Sequence, residues 1–395
     1  MSSTTPLLFL NPPTRKDYLD NLRCTLTILL VLHHATFETA VTTEYSTAVA
    51  MFITMQKTFL WSLFFFVSGY SMSLSQVSRA TTLGNYVKKG VKVTLPALAY
   101  AVIGQWTLFT LLSTGWPDIF GKQNNTQAYA RFSGPVPYVL LLLLFDSSAV
   151  VIRQLAFPPW VYPSLSPNHI TVLGFIILTG YTFLNAAFVS PLFSIPSFLS
   201  FLVYDMPDVC FPVSHIMAYW AGWQFKTLKR SILAPSSRIA LSRLLTSSLV
   251  SFTSLYYAQL HWKPLARLLH TQLSNEQKTI FIDGGLNGHT IAFAFWSSFT
   301  YFTISVSLIS TFFHVTWTSS KWGWLGRYTY VQTYLHMIPI LLAEYHLRPV
   351  KNGLVRYALV GLVGMSGTWL CASVIYAGIG ILQTSVQKIK RFFRW

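Results

Sequence analysis

The stretch LDNLRCTLTILLVLHHATFETA, residues 19–40, decides how this chain is read. Its centre is apolar like a membrane span, yet it carries Arg23 near one end and His33, His34 and Glu38 toward the other. Ionisable groups inside a span are costly and mark function by default. An α-helix turns 100° per residue, so the eleven residues from Arg23 to His34 return to nearly the same face, roughly 16 Å along the axis. His34 and Glu38 stand at i and i+4 and share that stripe. His33 points about 100° away. An anionic head held at Arg23 on a long thin arm could place a reactive end near His34, with Glu38 orienting the imidazole. Plainer roles stay open: Arg23 as an interfacial anchor paired with Asp20, and His34 as a histidine satisfied across a helix bundle.

The surroundings of this stretch are equally apolar. Of 395 residues, 52% are hydrophobic and 10% charged, with mean hydropathy +0.47. Soluble domains carry about 25% charged residues. Apolar runs of spanning length recur at 20–40, 57–75, 91–114, 135–152, 170–189, 207–225, 242–260, 288–314, 328–346 and 357–383. The expectation is an all-α, polytopic transmembrane bundle of about ten spans. It forms a single membrane domain over 1–395, with 1–19 a cytosolic N-terminal segment and 384–395 a basic cytosolic tail. No cleavable signal is read in the first residues, so the first span is expected to act as the insertion signal. Cys24, Cys210 and Cys371 fall in or beside apolar runs and read as buried free thiols. No metal-ligand spacing is present.

A net charge of +17 would suggest nucleic acid in a soluble protein. Here it fits a chain held in a lipid bilayer, with no nucleic-acid partner. With the N-terminus in the cytosol, 19 of the 28 basic residues fall on inside segments. The positive-inside rule therefore puts both termini in the cytosol. Asn124, in the sequon Asn124-Asn125-Thr126, then lies on a luminal loop as a glycosylation candidate. The tail KIKRFFRW reads as a headgroup anchor.

An ordered set of motifs follows. YLDNLRCTLTILLVLHH resembles the opening of the acyltransferase type 3 membrane family, whose first span carries Arg-x10-His, here Arg23 and His34. LFFFVSGYSMS (63–73) resembles the family's second-span segment, and YVKKGVKVTLP (86–96) stands where it has a basic turn before a proline. GPVPYVLLLLLFD (134–146), GGLNGHTIAFAFWSSF (284–299) and LGRYTYVQTYLH (325–336) resemble later parts. The resemblance covers nearly the full chain and is nearest to the stand-alone fungal members. There are departures. The basic turn is Lys89-x-x-Lys92 rather than two arginines, Pro137 replaces a tryptophan, Tyr334 is one place off the usual tyrosine, and Ser297 replaces an acid. Lysine supplies point charge for phosphate but not a bidentate fork.

The resemblance implies acyl transfer from acetyl-CoA or another acyl-CoA to a small-molecule acceptor, with no metal. It implies that Arg23, Lys88, Lys89 and Lys92 gather CoA phosphates at the cytosolic face. Ordinary positive-inside charge is the alternative for the lysines. His34 is the expected catalytic residue, as a general base on the acceptor hydroxyl or through an acyl-histidine. His336, three residues before Pro339, could stabilise the oxyanion, hold the acceptor or pair across the bundle. Ser68, beside Gly69, is a conceivable nucleophile but reads more readily as a close-packing contact. Asp146, His215, Tyr330 and His33 are candidates for the acceptor site. The expected activity is that of an integral membrane O-acyltransferase, acetylating a hydroxyl of a lipophilic small molecule such as a secondary metabolite. The default residence of such an enzyme is the endoplasmic reticulum. A proton-coupled transporter is the alternative, weakened by the lack of an internal repeat. A membrane cyclase ranks last, since no Asp-rich cluster exists. Acceptor identity, acyl length and oligomeric state stay open.

Overall fold

Two glycines let two helices of the bundle meet at close range. A Cβ placed on Gly69 would sit 2.1 Å from the Tyr219 carbonyl oxygen, and one on Gly222 would sit 2.0 Å from that of Phe66. Helix α2 (Thr47–Val77) and a later helix, Pro212–Trp223, thus touch backbone to backbone. Small residues make that approach possible, and it supplies packing where lipid gives helices no hydrophobic drive to associate. The Ser-Gly pair at 68–69 is the packing contact that the sequence suggested.

The computed structural model describes residues 17–40, 47–77, 90–91, 94–117, 136–154, 167–184, 212–261, 288–323 and 325–392. Among the described residues there are helices and turns but no strand. The chain runs through α1 (Asp17–Ala40), α2, α3 (Thr94–Gly115), α4 (Val136–Gln154) and α5 (Pro167–Leu184). Then come α6 (Pro212–Trp223), α7 (Phe225–Ile232), α8 (Ser237–His261), α9 (Gly288–His314) and the short α10 (Thr316–Ser319). A 3-10 turn (Leu325–Arg327) leads into α11 (Thr329–Leu335), α12 (Met337–His346) and the long α13 (Gly353–Phe392). Helix α3 contains a π-helical turn at Tyr100–Gly104.

Among the described residues, four helical stretches are long and apolar enough to cross a membrane: Met51–Leu74, Thr94–Gly115, Thr290–His314 and Gly353–Gly378. Tyr138–Val151 and His169–Leu184 are shorter apolar helices. The chain is thus an all-helical, multi-pass membrane protein. Four such spans stand against the ten expected, and α1, which carries Arg23 and two histidines, is not among the four. Helix α1 is instead enclosed. Leu22, Leu26, Leu30, Val31 and Ala35 are almost fully buried, and α1 packs on α2, α9, α12 and α13. Large apolar side chains point outward on α3 (Val102, Trp106, Leu111), α5 (Leu173, Ile176), α8 (Leu245, Leu249) and α13 (Leu370, Val374, Ile381). That is the surface expected of helices facing lipid tails.

Two polar devices position the last third of the chain on α1. Asn21 donates to the Thr318 carbonyl at 2.8 Å and also to that of Ser320. It thereby holds the link after α9, where Gly323 turns with φ 64°. Glycine suits that left-handed turn, since it has no Cβ to clash. Near the other end, Glu344 and Arg356 form a buried ion pair that closes the α12–α13 hairpin. Between these ties, Val31 and Ala35 pack with Ile340, Ala343 and Val360. Gly361 and Gly364 let α13 lie close to Leu32 and Val31.

Candidate active site

The fold brings His34 of α1 and His336 of the α11–α12 junction together, with ring centroids 4.7 Å apart and tilted at 53°. Pro339 explains the junction. It has no N–H to give to the carbonyl of Leu335, so the helix is interrupted at His336. In that turn His336 Nδ1–H donates to the Thr333 carbonyl at 3.0 Å. A carbonyl only accepts, so the proton of the neutral ring is on Nδ1 and Nε2 holds a lone pair. His336 Nε2 is buried and has no hydrogen-bond partner among the described residues. His34 is half-buried, and its nitrogens make no hydrogen bond among the described residues.

His33, adjacent in sequence, is used differently. It lies edge-on to His34, with centroids 5.7 Å apart. Its Nδ1 bonds Gln56 Oε1 on α2 at 3.1 Å, and Gln56 Nε2 donates to the Leu29 carbonyl at 2.6 Å. This chain clamps α1 to α2. Of the acceptor-site candidates, His33 is the one that ties α1 to α2. His215 is likewise engaged away from the pair: Ser62 Oγ lies 3.0 Å from its Nδ1, and its ring stacks on Phe65.

Toward the other end of α1, Arg23 pairs with Asp20 at 3.4 Å and donates to Ser71 Oγ on α2 at 2.6 Å. Its side chain keeps 34% exposure, enough to meet a further anion. Tyr138 of α4 lies within electrostatic range of Arg23, Asp146 and Tyr330. Its hydroxyl bonds Ser68 Oγ at 2.6 Å, so Ser68 is held by a tyrosine and faces no histidine base among the described residues. Asp146 accepts a hydrogen bond from the Tyr219 hydroxyl. Tyr330 is exposed and shares a 2.9 Å hydrogen bond with Tyr334, whose ring packs on Tyr100 of α3. Two zones result: the His34–His336 pair, and a polar zone of Arg23, Tyr138, Asp146 and Tyr330.

Lys88, Lys89, Lys92 and Asn124 lie outside the described residues. Glu38 is in the last turn of α1, with its side chain also outside them. Cys24 is buried and Cys371 half-buried, both free; Cys210 lies outside the described residues. Among the described residues, no group of three or more His, Cys, Asp or Glu side chains is arranged to hold a metal ion.

Sequence reasoning missed Gln332, one turn before His336 on the same face. It is fully buried, and neither atom of its amide has a hydrogen-bond partner among the described residues. A glutamine inside an apolar helix, four residues from a candidate histidine, was the available signal.

Neither a curated protein nor a solved structure matches the chain. The family model described as "Heparan-alpha-glucosaminide N-acetyltransferase, catalytic" matches residues 15–121, the part that holds Arg23, His33 and His34. Over that part the chain is similar to a membrane acetyltransferase catalytic domain, which supports a membrane acyltransferase-like family without singling out acyltransferase type 3.

Proposed function

We propose that this chain is an integral membrane O-acyltransferase that moves an acetyl group from acetyl-CoA to a hydroxyl of a lipophilic small molecule such as a secondary metabolite. The observation that carries the reading is the His34–His336 pair, with its lone pair at Nε2 buried, oriented and unused. Such a nitrogen is prepared to accept a proton from an entering hydroxyl. The match to an acetyltransferase catalytic domain over residues 15–121 points the same way.

In the reaction, His336 Nε2, in place of the His34 base expected from the sequence, takes the proton of the acceptor hydroxyl while His34 holds that hydroxyl beside it. The acceptor oxygen attacks the thioester carbonyl carbon, the C–S bond breaks, and the proton passes from His336 to the departing CoA thiolate. Ester and free CoA leave. Arg23, with Lys88, Lys89 and Lys92, meets the phosphates of CoA, and Tyr330 and Asp146 border the acceptor. The wider reading keeps about ten spans, both termini in the cytosol and residence in the endoplasmic reticulum. It also keeps the resemblance to acyltransferase type 3.

The matched family's description names an N-acetyltransferase, so amine acceptors belong in the test. Membranes bearing the protein are incubated with radiolabelled acetyl-CoA and a panel of lipophilic alcohols and amino sugars. Label should reach an acceptor in the wild type and fail to do so in His34→Ala and His336→Ala. Transfer that survives both substitutions, or uptake of an unmodified compound into sealed vesicles in place of transfer, overturns the reading.

A further inference from the structure

The tautomer of His336 removes one role from it. With Nδ1–H given to Thr333, the neutral ring has only a lone pair at Nε2 and cannot donate to a developing oxyanion. Acyl transfer needs such donors, because negative charge builds on the carbonyl oxygen as the acceptor attacks. They must come from other groups in the same layer of the bundle.

The layer holds two unused donors. Gln332 precedes His336 by one helical turn, and residues at i and i+4 share a face. Its amide is wholly buried and unpaired among the described residues. Trp369 of α13 is also buried, and its indole Nε1–H has no partner there either. Two contacts fix the antiparallel register of α13 against α11 and α12. A Cβ on Gly367 would meet Pro339, and Tyr328 stacks on Tyr376 at 4.8 Å. Residue 369 is therefore level with residue 336. Trp369 also lies two turns from Tyr376, on nearly the same stripe, which faces the start of α11. Buried polar groups are almost always paired, so two orphaned donors within about one helical turn of each other along the bundle need a reason.

We propose that Gln332 is a catalytic residue, its Nε2–H donating to the thioester carbonyl oxygen, with Trp369 Nε1–H as the second donor. This rests on the acyl-transfer reading above. As the acceptor oxygen bonds to the carbonyl carbon, the C=O π pair moves onto oxygen, where the two donors meet it. The pair returns as the C–S bond breaks, and the thiolate takes the proton held on His336. No other reactant is required.

The test is Gln332→Met, which keeps the volume and removes both donors and acceptor. Its kcat should fall about 10²–10³-fold. KM for acetyl-CoA should stay within about threefold, as for an interaction made in the transition state. The acetyl-CoA analogue with a methylene in place of the thioester sulfur should, like free CoA, bind within about threefold of its wild-type affinity, because its ketone is a ground-state carbonyl. Thermal stability in detergent should hold or rise, because an unsatisfied amide is gone. If Gln332 merely held the fold, stability would fall and kcat per folded molecule would not. An unchanged kcat in a wild type that transfers acetyl groups sinks this inference alone. A wild type that neither binds CoA nor transfers acetyl groups sinks the reading beneath it. Trp369→Phe, which keeps the ring and removes the N–H, should give a smaller fall in kcat of the same kind.

Discussion

Asn21 of the first helix holds the Thr318 carbonyl at 2.8 Å, across 297 positions of sequence. One side chain near Arg23 thereby fixes the link that leads into α11 and so helps set where His336 meets His34. Neighbouring Gly326 lies against Asp20, where a Cβ would have 3.4 Å.

Asn21→Ala is expected to leave the buried Thr318 carbonyl, and the more exposed one of Ser320, without this donor, at about 1–3 kcal/mol. Acetyl transfer should fall with it although Asn21 touches neither histidine, because small displacements of reacting groups lower rates steeply. Thermal unfolding in detergent and the transfer assay, run on one preparation, check both. Full activity at reduced stability would show that the link does not position the pair.

His34→Ala and His336→Ala should each reduce transfer by about 10²–10⁴-fold, the usual contribution of a positioned acid or base. His336→Ala removes an orphaned acceptor but also the bond to the Thr333 carbonyl and a buried ring, so transfer is compared per folded molecule. The double variant should be little worse than either single one, since groups acting as a unit are not additive. Losses that multiply would mean that the two rings act independently.

His33→Ala should behave in the opposite way. Removing the imidazole leaves Gln56 Oε1 without this donor between α1 and α2, at a cost of about 1–3 kcal/mol. Transfer per folded molecule should remain within a few-fold of wild type, so the two adjacent histidines separate by assay: His33 through stability, His34 through rate.

Much of this was legible in residues 19–40 and 325–339. The eleven-residue spacing put Arg23 and His34 on one face, and Pro339 announced the interruption that turns His336 inward. Helix geometry also set His33 off that face, and in the structure it bonds Gln56 of α2. What remained hidden depends on register between distant segments. Nothing local in the sequence says that Gly69 meets Tyr219, that Asn21 reaches Thr318, or that Trp369 lies level with His336. Gln332 was passed over for a related reason. A polar residue in an apolar helix is expected to find a partner, and its lack of one appears only when its neighbours are placed. Each apolar run was counted alike as a span, whereas length and composition mark four crossing helices among the described residues, and α1 is enclosed by other helices.

Gly69→Ala and Gly222→Ala should be among the most damaging small substitutions. Each added Cβ would overlap a carbonyl of the opposing helix, at 2.1 and 2.0 Å. Rigid backbone cannot yield as a side-chain tip can, so α2 and α6 must part. A loss of about 3 kcal/mol is expected for either one. Ser68→Ala, beside Gly69, loses only the bond to Tyr138 and should cost about 1 kcal/mol. Melting temperatures in one detergent compare the three, and equal losses would contradict backbone contact as the cause.

The Glu344–Arg356 pair gives a prediction whose size depends on whether one partner or both are replaced. Both side chains are almost wholly buried, and Arg356 also donates to the Glu344 backbone carbonyl at 3.4 Å. Arg356→Met leaves a carboxylate without its guanidinium in an apolar layer, and breaking such a pair costs about 3–5 kcal/mol. Glu344→Gln keeps an acceptor for the guanidinium but strands its charge, so it should cost nearly as much. Replacing both with apolar residues of similar size, Glu344→Leu with Arg356→Met, strands neither charge. The double variant should therefore be more stable than either single one, and close to wild type, because mutual attraction in such pairs barely exceeds the desolvation of the two ions. Thermal unfolding of the three variants forms a double-mutant cycle. A double variant that loses as much as the two singles combined would mean that each residue acts through other contacts. The hairpin would then not depend on this pair.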